Sequence, residues 1–210
     1  MSNEGKKKHK LGIMGGTFDP IHYGHLVAAE GARHHFGLDS VVFVPAARPP
    51  HKGNSSISHP SDRLNMTVLA TGSNSNFEVS DIEIKRRGPS YTIDTVNQFR
   101  QSRPDASVHF ITGADAVLEI LTWHRVQELL EICHFIAATR PGYRLENLSG
   151  ILKGLPSQCI DKISVMEVPA LAISSTDIRE RVGKGMPIKY LLPEGVEDYI
   201  YSKGLYKKGR

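Results

Sequence analysis

The chain has 210 residues, of which 40% are hydrophobic and 23% are charged, and its formal net charge is +4. This composition is typical of a soluble globular protein and excludes a disordered or low-complexity chain. The length is sufficient for one compact domain with a substantial core, and no apolar run approaches the ~18 residues of a transmembrane helix. Gly15, Gly16 and Asp19 interrupt the stretch after the basic start, so a signal peptide is not indicated and we expect a cytoplasmic protein.

The positive charge is concentrated at the two ends of the chain. Residues 1–10 contribute +3 and residues 203–210 contribute +4, which leaves −3 for residues 11–202. We therefore expect two mobile basic tails, 1–10 and 203–210, around a single domain 11–202 whose residues 168–202 form a C-terminal helical part. This distribution disfavours a nucleic-acid-binding module, which would need a basic stripe on its folded surface.

Cys133 and Cys159 lie 26 residues apart and form no C-x-x-C pattern. The spacing fits neither a disulfide framework nor a four-thiolate zinc site. Cys133 lies in an apolar run, so we predict a buried free thiol there.

Short apolar runs alternate with helical patterns along the chain. Several of the runs are apolar without alternation, as in a parallel sheet that is covered on both faces, which predicts a doubly wound, mostly parallel α/β sheet with a small C-terminal helical cap. The predicted strands are 11–14, 41–44, 77–84, 108–111, 133–138 and 163–168. The predicted helices are 24–36, 62–70, 92–102, 116–121, 125–132, 147–153, 176–182 and 194–201, the first of them stopping at Gly37.

Residues 45–60 form a long segment without a secondary-structure pattern, rich in proline, serine and histidine. Such a segment inside a compact domain indicates a binding loop or lid, and a tolerated surface insertion fits its composition equally well.

The junction between the first strand and the first helix carries the most chemical information. In an open α/β sheet, ligands bind beyond the carboxyl ends of the strands, and a helix N-terminus offers unpaired N–H groups to an anion. Gly15 and Gly16 would allow a phosphate to approach the backbone. His22 and His25, spaced i, i+3, would project from one side of the first helical turn and donate to a polyphosphate.

Other interpretations of this junction are weaker. It contains neither G-x-G-x-x-G nor G-x-x-x-x-G-K-[ST], which disfavours a hydride-transferring dinucleotide enzyme and excludes a P-loop NTPase. A lone histidine at a helix start is more often a cap or a surface residue. A zinc site would need a further cysteine or carboxylate nearby, which the sequence does not offer.

Two motifs identify a resemblance. Residues 16–25 match G-x-F-x-P-x-H-x-G-H, a signature of the H-x-G-H nucleotidyltransferases, and residues 173–179 match the second signature I-S-S-T-x-I-R. From the residues alone, Ser174, Ser175 and Thr176 offer hydroxyls and amides at a helix N-terminus, and Arg179 follows one turn later as a charged fork for phosphate. The resemblance implies a Rossmann-like nucleotidyltransferase fold.

Within this superfamily, residues 11–206 resemble the bacterial nicotinate mononucleotide adenylyltransferases. The resemblance implies adenylyl transfer from ATP to nicotinate mononucleotide, which yields nicotinate adenine dinucleotide (deamido-NAD) and pyrophosphate in NAD biosynthesis. It also implies magnesium as cofactor, held mainly by the ATP phosphates rather than by protein ligands. The implied partners are these two small molecules, with neither nucleic acid nor a membrane, and the oligomeric state stays open.

The resemblance also assigns site residues. His22, His25 and Arg179 are the implied catalytic residues, and the segment around His51 and Lys52 is the family's mobile basic segment. The implied ATP-binding residues are Gly15, Gly16, Thr17, Phe18, His22, His25, Gly113, Asp115, Ile173, Ser174, Ser175, Thr176 and Arg179. The implied nicotinate mononucleotide-binding residues are Thr17, His51, Lys52, Tyr91, Thr92, Trp123, His124 and Arg140.

Without the resemblance, several of these residues have simpler interpretations. Asp115 could cap a helix, Trp123 could anchor the core, and Tyr91 could pack against it. The charges at 51 and 52 could be solvated, and Arg140 could belong to a turn after a strand. His124 departs from relatives, which often have an aromatic residue after the tryptophan, and we assign it no catalytic role.

Two rival functions remain at this point. The first is an H-x-G-H adenylyltransferase that acts on nicotinamide mononucleotide or on phosphopantetheine, although the pantetheine enzymes are shorter and lack the segments around Tyr91 and Trp123. The second is a non-catalytic nucleotide- or nucleic-acid-binding module, against which the intact His22, His25 and Arg179 argue.

Overall fold

A six-stranded parallel sheet organises the protein. A computed structural model describes residues 8–49, 57–139 and 155–207. The strands are β1 (His9–Gly16), β2 (Ser40–Pro45), β3 (Phe77–Val79), β4 (Ala106–Gly113), β5 (His134–Thr139) and β6 (Ile163–Glu167). They pair in parallel in the order β3-β2-β1-β4-β5-β6. This doubly wound order reverses between β1 and β4 and confirms the predicted α/β fold.

Helices cover both faces of this sheet. Those described are α1 (Tyr23–Phe36), α2 (Pro60–Thr71), α3 (Ile82–Lys85), α4 (Thr92–Ser102), α5 (Ala114–Leu118), α6 (Val126–Ile132), α7 (Ser157–Ile160), α8 (Ser175–Gly183) and α9 (Glu194–Lys203), with a 3-10 turn at Ile120–Thr122. As predicted, α1 stops at Gly37, whose φ of 60° permits the capping bond from its amide to the carbonyl of His34. None of the helices in the described ranges is both long and apolar enough to cross a bilayer.

The core has two layers, one on each side of the sheet. Leu11 and Ile13 of β1 face the layer that contains α4, α6 and α7, whereas Met14 faces the layer that contains α1, α2, α8 and α9. Both faces of the central strands are therefore buried, which explains why these strands read as apolar runs without alternation. The predicted C-terminal helices, α8 and α9, pack as part of the second layer.

The predicted strand 77–84 is wrong in its second half. β3 ends at Val79, and Ile82–Lys85 forms the short helix α3. The helical turn buries Glu83, whose carboxylate accepts a hydrogen bond from Thr95 Oγ1 of α4 at 2.5 Å. The alternation of apolar residues up to Ile84 is typical of a strand. The hydrogen bond between Glu83 and Thr95 favours the helix α3 instead.

Smaller differences concern element ends. The predicted helix 116–121 begins earlier, at Ala114, and gives way to the 3-10 turn. Helix α7 was not predicted, and the predicted helix 147–153 lies outside the described residues. Both cysteines are buried free thiols, and burial raises the pKa of Cys133 to about 12, so the prediction for Cys133 is confirmed.

The two predicted tails are shorter than expected where the structure describes them. His9 and Lys10 already belong to β1, and Lys203 closes α9. After the turn at Gly204, Leu205 and Tyr206 pack against the core. Residues 1–7 and 208–210 lie outside the described ranges, as do residues 50–56 of the long segment, so its role as a binding loop stays a prediction.

A pair of stacked imidazoles on adjacent strands predicts sensitivity to acid. His109 of β4 is 9% exposed, and its ring lies 5.2 Å from that of its register partner His134. Burial, His134 and Lys10 together lower the pKa of His109 to about 4. The unfolded chain binds a proton here near pH 6.5 and the folded protein does not, so the free energy of unfolding falls as the pH drops through this window.

Because of His109, we expect the free energy of unfolding to fall by about 2–3 kcal/mol when the pH is lowered from 7 to 4.5. Urea unfolding at the two pH values should show a smaller loss for His109→Gln than for the wild type. His35→Gln, which changes an exposed histidine of α1, should keep the full loss. Equal losses in wild type and His109→Gln would contradict the assignment.

Candidate active site

A cavity of about 370 Å³ opens where the sheet order reverses. It lies at the carboxyl ends of β1, β4 and β5, between the N-termini of α1 and α8, and its volume is in the range of small-molecule sites. The predicted ATP-binding residues that line it are His22, His25, Gly113, Asp115, Ile173, Ser174 and Ser175. Residues 112–114 and 168–175 thus meet the first helix across one cavity, although they are far apart in sequence.

The two histidines form a close pair with tilted rings, 32° apart in plane, at the start of α1. His22 is the N-cap residue and is 6% exposed, and its ring centroid lies 3.9 Å from that of His25. The backbone N–H of His22 donates to Nδ1 of His25 at 3.3 Å. An Nδ1 that accepts a hydrogen bond carries no proton, so in this arrangement the neutral imidazole of His25 has its proton on Nε2 and can donate it to an anion.

The glycine between the histidines leaves room for the His22 ring. A Cβ at Gly24 would lie 3.0 Å from both Cε1 and Nδ1 of His22. A side chain at this position would therefore press on the His22 ring, which would have to give by a few tenths of an ångström. The sequence alone offers no reason for this glycine, and the structure supplies one.

Gly15 and Gly16 make room for aromatic rings. A Cβ at Gly15 would lie 2.9 Å from Phe110 Cζ, and one at Gly16 would lie 2.7 Å from the ring of Phe18. The buried Phe18 ring in turn contacts the His25 ring edge-on, with centroids 5.1 Å apart. Neither glycine, nor Thr17 or Phe18, is among the residues that line the cavity. The predicted approach of a phosphate to these glycines stays a prediction.

The second motif forms the opposite side of the cavity. Ser174 is the N-cap of α8, and its Oγ accepts a hydrogen bond from the N–H of Asp177 at 3.1 Å, as the sequence predicts. Ser175 donates from its Oγ to the carbonyl of Pro20 at 2.8 Å. This bond joins the two motifs, because Pro20 belongs to the loop between β1 and α1.

Arg179 also forms a hydrogen bond to the loop between β1 and α1. Its guanidinium donates to the main-chain carbonyl of Asp19 at 2.7 Å and to Thr176 Oγ1 at 3.2 Å. Arg179 and Thr176 line an adjacent cavity of about 500 Å³ together with Tyr206. The three implied catalytic side chains therefore lie around one loop, although Arg179 is not part of the first cavity's lining.

Asp115 faces the first cavity from the first turn of α5. The helix begins at Ala114 and its N-cap residue is Gly113, so Asp115 lies inside the first turn and not at the cap position. The helix-cap interpretation of Asp115 is therefore not supported. A carboxylate at the end of a parallel strand is suited to accept hydrogen bonds from ribose hydroxyls.

The residues assigned to the pyridine nucleotide form a second cluster. The rings of Tyr91 and His124 stack with centroids 4.3 Å apart, so His124 packs as an aromatic residue would. Trp123 is half-buried and lies edge-on against Phe110 and Phe135, which fits the core-anchor interpretation. Thr92 begins α4 directly after Tyr91. His51, Lys52 and Arg140 lie outside the described residues.

Two buried charged residues near the site were missed by the sequence analysis. Arg63 of α2 is 1% exposed and donates to four main-chain carbonyls. These belong to Thr17 at 2.7 Å, Ala46 at 2.6 Å, Ala47 at 3.4 Å and Ser58 at 3.0 Å. Burial lowers the pKa of Arg63, and the nearby Asp19 opposes this shift. Arg63 thus ties the first motif to both ends of the segment that follows β2.

The signal for Arg63 was present in the helical periodicity of α2. Arg63 shares the i, i+3, i+4, i+7 face with Met66, Thr67 and Ala70, all of which are buried. An arginine on such a face must find buried acceptors. Asp19, 3% exposed, carried no comparable signal, because its partners come from distant segments.

Comparison with known proteins identifies the family of the chain. The model of the cytidylyltransferase-like family matches residues 13–181. A protein of Moorella thermoacetica is 59% identical over 199 residues, which cover 94% of this chain and 92% of that protein. One of Thermoanaerobacter sp. is 55% identical over 204 residues, 97% of each chain. Both carry the name "Probable nicotinate-nucleotide adenylyltransferase".

Solved structures share the fold. Plasmodium falciparum nicotinic acid mononucleotide adenylyltransferase complexed with NaAD matches with a TM-score of 0.77 and 24% identity, over 94% of this chain and 98% of that one. The same enzyme complexed with APC matches with a TM-score of 0.75 and 23% identity, over 94% and 97%. The chain belongs to the cytidylyltransferase-like family and, within it, to the nicotinate-nucleotide adenylyltransferases.

Proposed function

We propose that the protein transfers the adenylyl group of ATP to nicotinate mononucleotide and releases pyrophosphate, forming nicotinate adenine dinucleotide. The observation that carries this proposal is the close pair His22 and His25 at the N-terminus of α1, facing the cavity at the point where the sheet order reverses. The chain-long similarity to proteins named for this reaction supports the choice of substrates.

The reaction is an in-line displacement at phosphorus. A phosphate oxygen of nicotinate mononucleotide forms a bond to the α-phosphorus of ATP, and the bond from that phosphorus to the oxygen that bridges to the β-phosphate breaks. The electron pair of the broken bond leaves with pyrophosphate. The attacking phosphate is already an anion at neutral pH, so no general base is required, and catalysis rests on alignment and on stabilising the charge of the leaving group.

The described contacts support separate roles for the residues that would bind ATP. His22 and His25 would donate to the ATP phosphates, since both line the cavity and His25 presents a proton on Nε2. Arg179 and Thr176 would bind the leaving β- and γ-phosphates. Asp115 would accept from the ribose hydroxyls. The amides at the N-terminus of α8 add partial positive charge on the far side of the cavity.

On the acceptor side, the assignments rest on the resemblance and on the second cluster. Trp123 would stack on the pyridine ring, while Thr92 and backbone amides would hold its carboxylate, with Tyr91 and His124 beside them. Thr17 would contact the mononucleotide from the first loop. His51, Lys52 and Arg140 would contribute further positive charge.

The donors around the cavity fit a magnesium ion that is carried by ATP. Mg²⁺ prefers oxygen ligands, keeps several waters and is usually bound through one or two carboxylates together with substrate phosphates. Among the described residues that line the cavity, Asp115 is the carboxylate, and no described group of three His, Cys, Asp or Glu side chains could enclose a metal. Magnesium would neutralise charge on the triphosphate during the transfer.

The direct test is pyrophosphate release from ATP and magnesium with three acceptors offered in parallel. Nicotinate mononucleotide should react much faster than nicotinamide mononucleotide or phosphopantetheine, and the product should be nicotinate adenine dinucleotide. Equal rates with all three acceptors, or no release with any of them, would overturn the proposed specificity. The cytoplasmic location and the lack of a nucleic-acid partner stay predictions of the sequence.

The glycine between the histidines offers a sharp test of the site. Gly24→Ala would place a methyl group 3.0 Å from the His22 ring, so we expect turnover to fall at least about tenfold. Gly195→Ala is a matched control, because Gly195 is likewise the second residue of a helix and its Cβ would meet no atom closer than 3.8 Å. Steady-state kinetics should separate the two variants, and equal turnover would contradict the role assigned to the histidine pair.

A further inference from the structure

The C-terminal segment reaches back to the first motif through one side chain. α9 ends at Gly204, whose φ of 63° lets the chain reverse, and Leu205 and Tyr206 then pack against the core. The hydroxyl of Tyr206 donates to Oδ1 of Asp19 at 2.7 Å. A residue near the end of the chain thus contacts the loop that precedes the two histidines.

Asp19 connects three segments of the protein. Its carboxylate is buried and accepts from Tyr206 through Oδ1 and from the backbone N–H of Ser58 through Oδ2 at 3.4 Å. Its main-chain carbonyl accepts from the guanidinium of Arg179 at 2.7 Å. The residue that holds Arg179 is therefore itself held by Tyr206.

The Tyr206 hydroxyl satisfies a buried carboxylate, so its loss would affect the position of Asp19. A buried carboxylate that loses a donor keeps its desolvation cost and must move or recruit water. Burial and Asp19 raise the pKa of Tyr206, so its hydroxyl remains a donor at neutral pH. Tyr206 and Arg179 also line the same cavity of about 500 Å³.

We propose that Tyr206 is a positioning residue for the adenylyl transfer: its hydroxyl holds Asp19, and the main-chain carbonyl of Asp19 holds the guanidinium of Arg179 for the phosphates. The inference rests on the proposed function. Tyr206 itself touches no substrate in this account, and its effect on the reaction passes through Arg179.

A double-mutant cycle tests this coupling. Tyr206→Phe removes the hydroxyl alone and should lower kcat/KM about tenfold in the wild-type background. Arg179→Met should lower it about a hundredfold. In the Arg179→Met background, the additional effect of Tyr206→Phe should shrink to less than about twofold, because the side chain that it positions is gone.

Controls separate positioning from stability. Tyr201→Phe removes the hydroxyl of an exposed tyrosine on α9 and should leave kcat/KM unchanged. Thermal unfolding of each variant shows whether the assays were run on folded protein. If Tyr206→Phe does not fold, Asp19→Ala takes its place in the cycle, since it removes the acceptor of the Tyr206 hydroxyl and keeps the main-chain carbonyl that holds Arg179.

The double-mutant cycle distinguishes a failure of the positioning role from a failure of the proposed function. Equal losses from Tyr206→Phe in both backgrounds would mean a general structural effect and would overturn the proposal, as would wild-type activity in the single variant. The cycle uses whichever acceptor the wild-type protein adenylates. A failure of the proposed function therefore shows in the wild-type acceptor preference, whereas a failure of the positioning role shows in the ratio of the variants.

Discussion

Replacing His25 with alanine is expected to lower turnover by about 10²–10³-fold. The imidazole is held by close contact with the tilted His22 ring, by an edge-on contact with Phe18 and by the hydrogen bond to its Nδ1. A donor held in this way requires little reorganisation when negative charge passes to the leaving pyrophosphate. Steady-state measurement of adenylyl transfer with saturating ATP would give the effect.

The same substitution should have a small effect on stability. His25 is half-buried and contributes one hydrogen bond to the helix start, so the free energy of unfolding should fall by about 1 kcal/mol. His34→Ala, at an exposed position near the end of the same helix, is the control and should retain full turnover. A loss of turnover of less than about tenfold in His25→Ala would remove His25 from the catalytic assignment.

His25 is a better test than its neighbour. His22 is 6% exposed and occupies the N-cap position, so His22→Ala would combine a catalytic loss with the loss of a buried side chain at the helix start. Comparing turnover with thermal unfolding in the two variants should therefore show a larger stability change for His22→Ala.

Arg63→Met should produce the largest loss of stability among these variants. The guanidinium donates to carbonyls from three separate segments, and methionine of similar length would leave those oxygens buried without a donor. It would also remove the positive charge beside the buried Asp19. We expect the free energy of unfolding to fall by about 3–5 kcal/mol, because breaking a buried charged network by removing one member typically costs that much.

Urea unfolding at neutral pH measures this effect. Arg100→Met is a suitable control, since Arg100 is exposed on α4, and its free energy of unfolding should stay within about 0.5 kcal/mol of wild type. A change of less than about 1 kcal/mol in Arg63→Met would mean that water or rearranged backbone satisfies the carbonyls, and the role assigned to Arg63 would be wrong.

Local sequence patterns were sufficient for most of the fold. Apolar runs and helical periodicity predicted the six strands in order and the long helices. The central strands could be recognised because both of their faces are buried, so nearly all of their residues are apolar. The pattern failed at residues 80–84, where alternating apolar residues continue beyond β3. There the contact between Glu83 and Thr95 selects a helical turn, and no local pattern encodes a partner twelve residues away.

In the candidate site too, some features could be predicted from the sequence and others depend on contacts between distant residues. The sequence and its family resemblance predicted which residues carry the chemistry: two histidines one turn apart at a helix start, a serine-rich helix start with an arginine, and an acid after a strand. The sequence could not determine why Gly15, Gly16 and Gly24 are glycines, since the rings they accommodate are positioned by packing.

Only the tertiary structure decided how these parts are held together. Arg63 and Tyr206 read as an ordinary helical arginine and a residue of a basic tail, yet both reach the loop between β1 and α1. Their partners lie 46 and 187 residues away in sequence, and a hydrogen bond over such a separation exists only once the sheet has brought the segments together. Residue type and spacing therefore predicted the chemistry proposed for this protein, whereas burial and long-range hydrogen bonding decided its geometry, because both depend on neighbours that the linear chain does not place together.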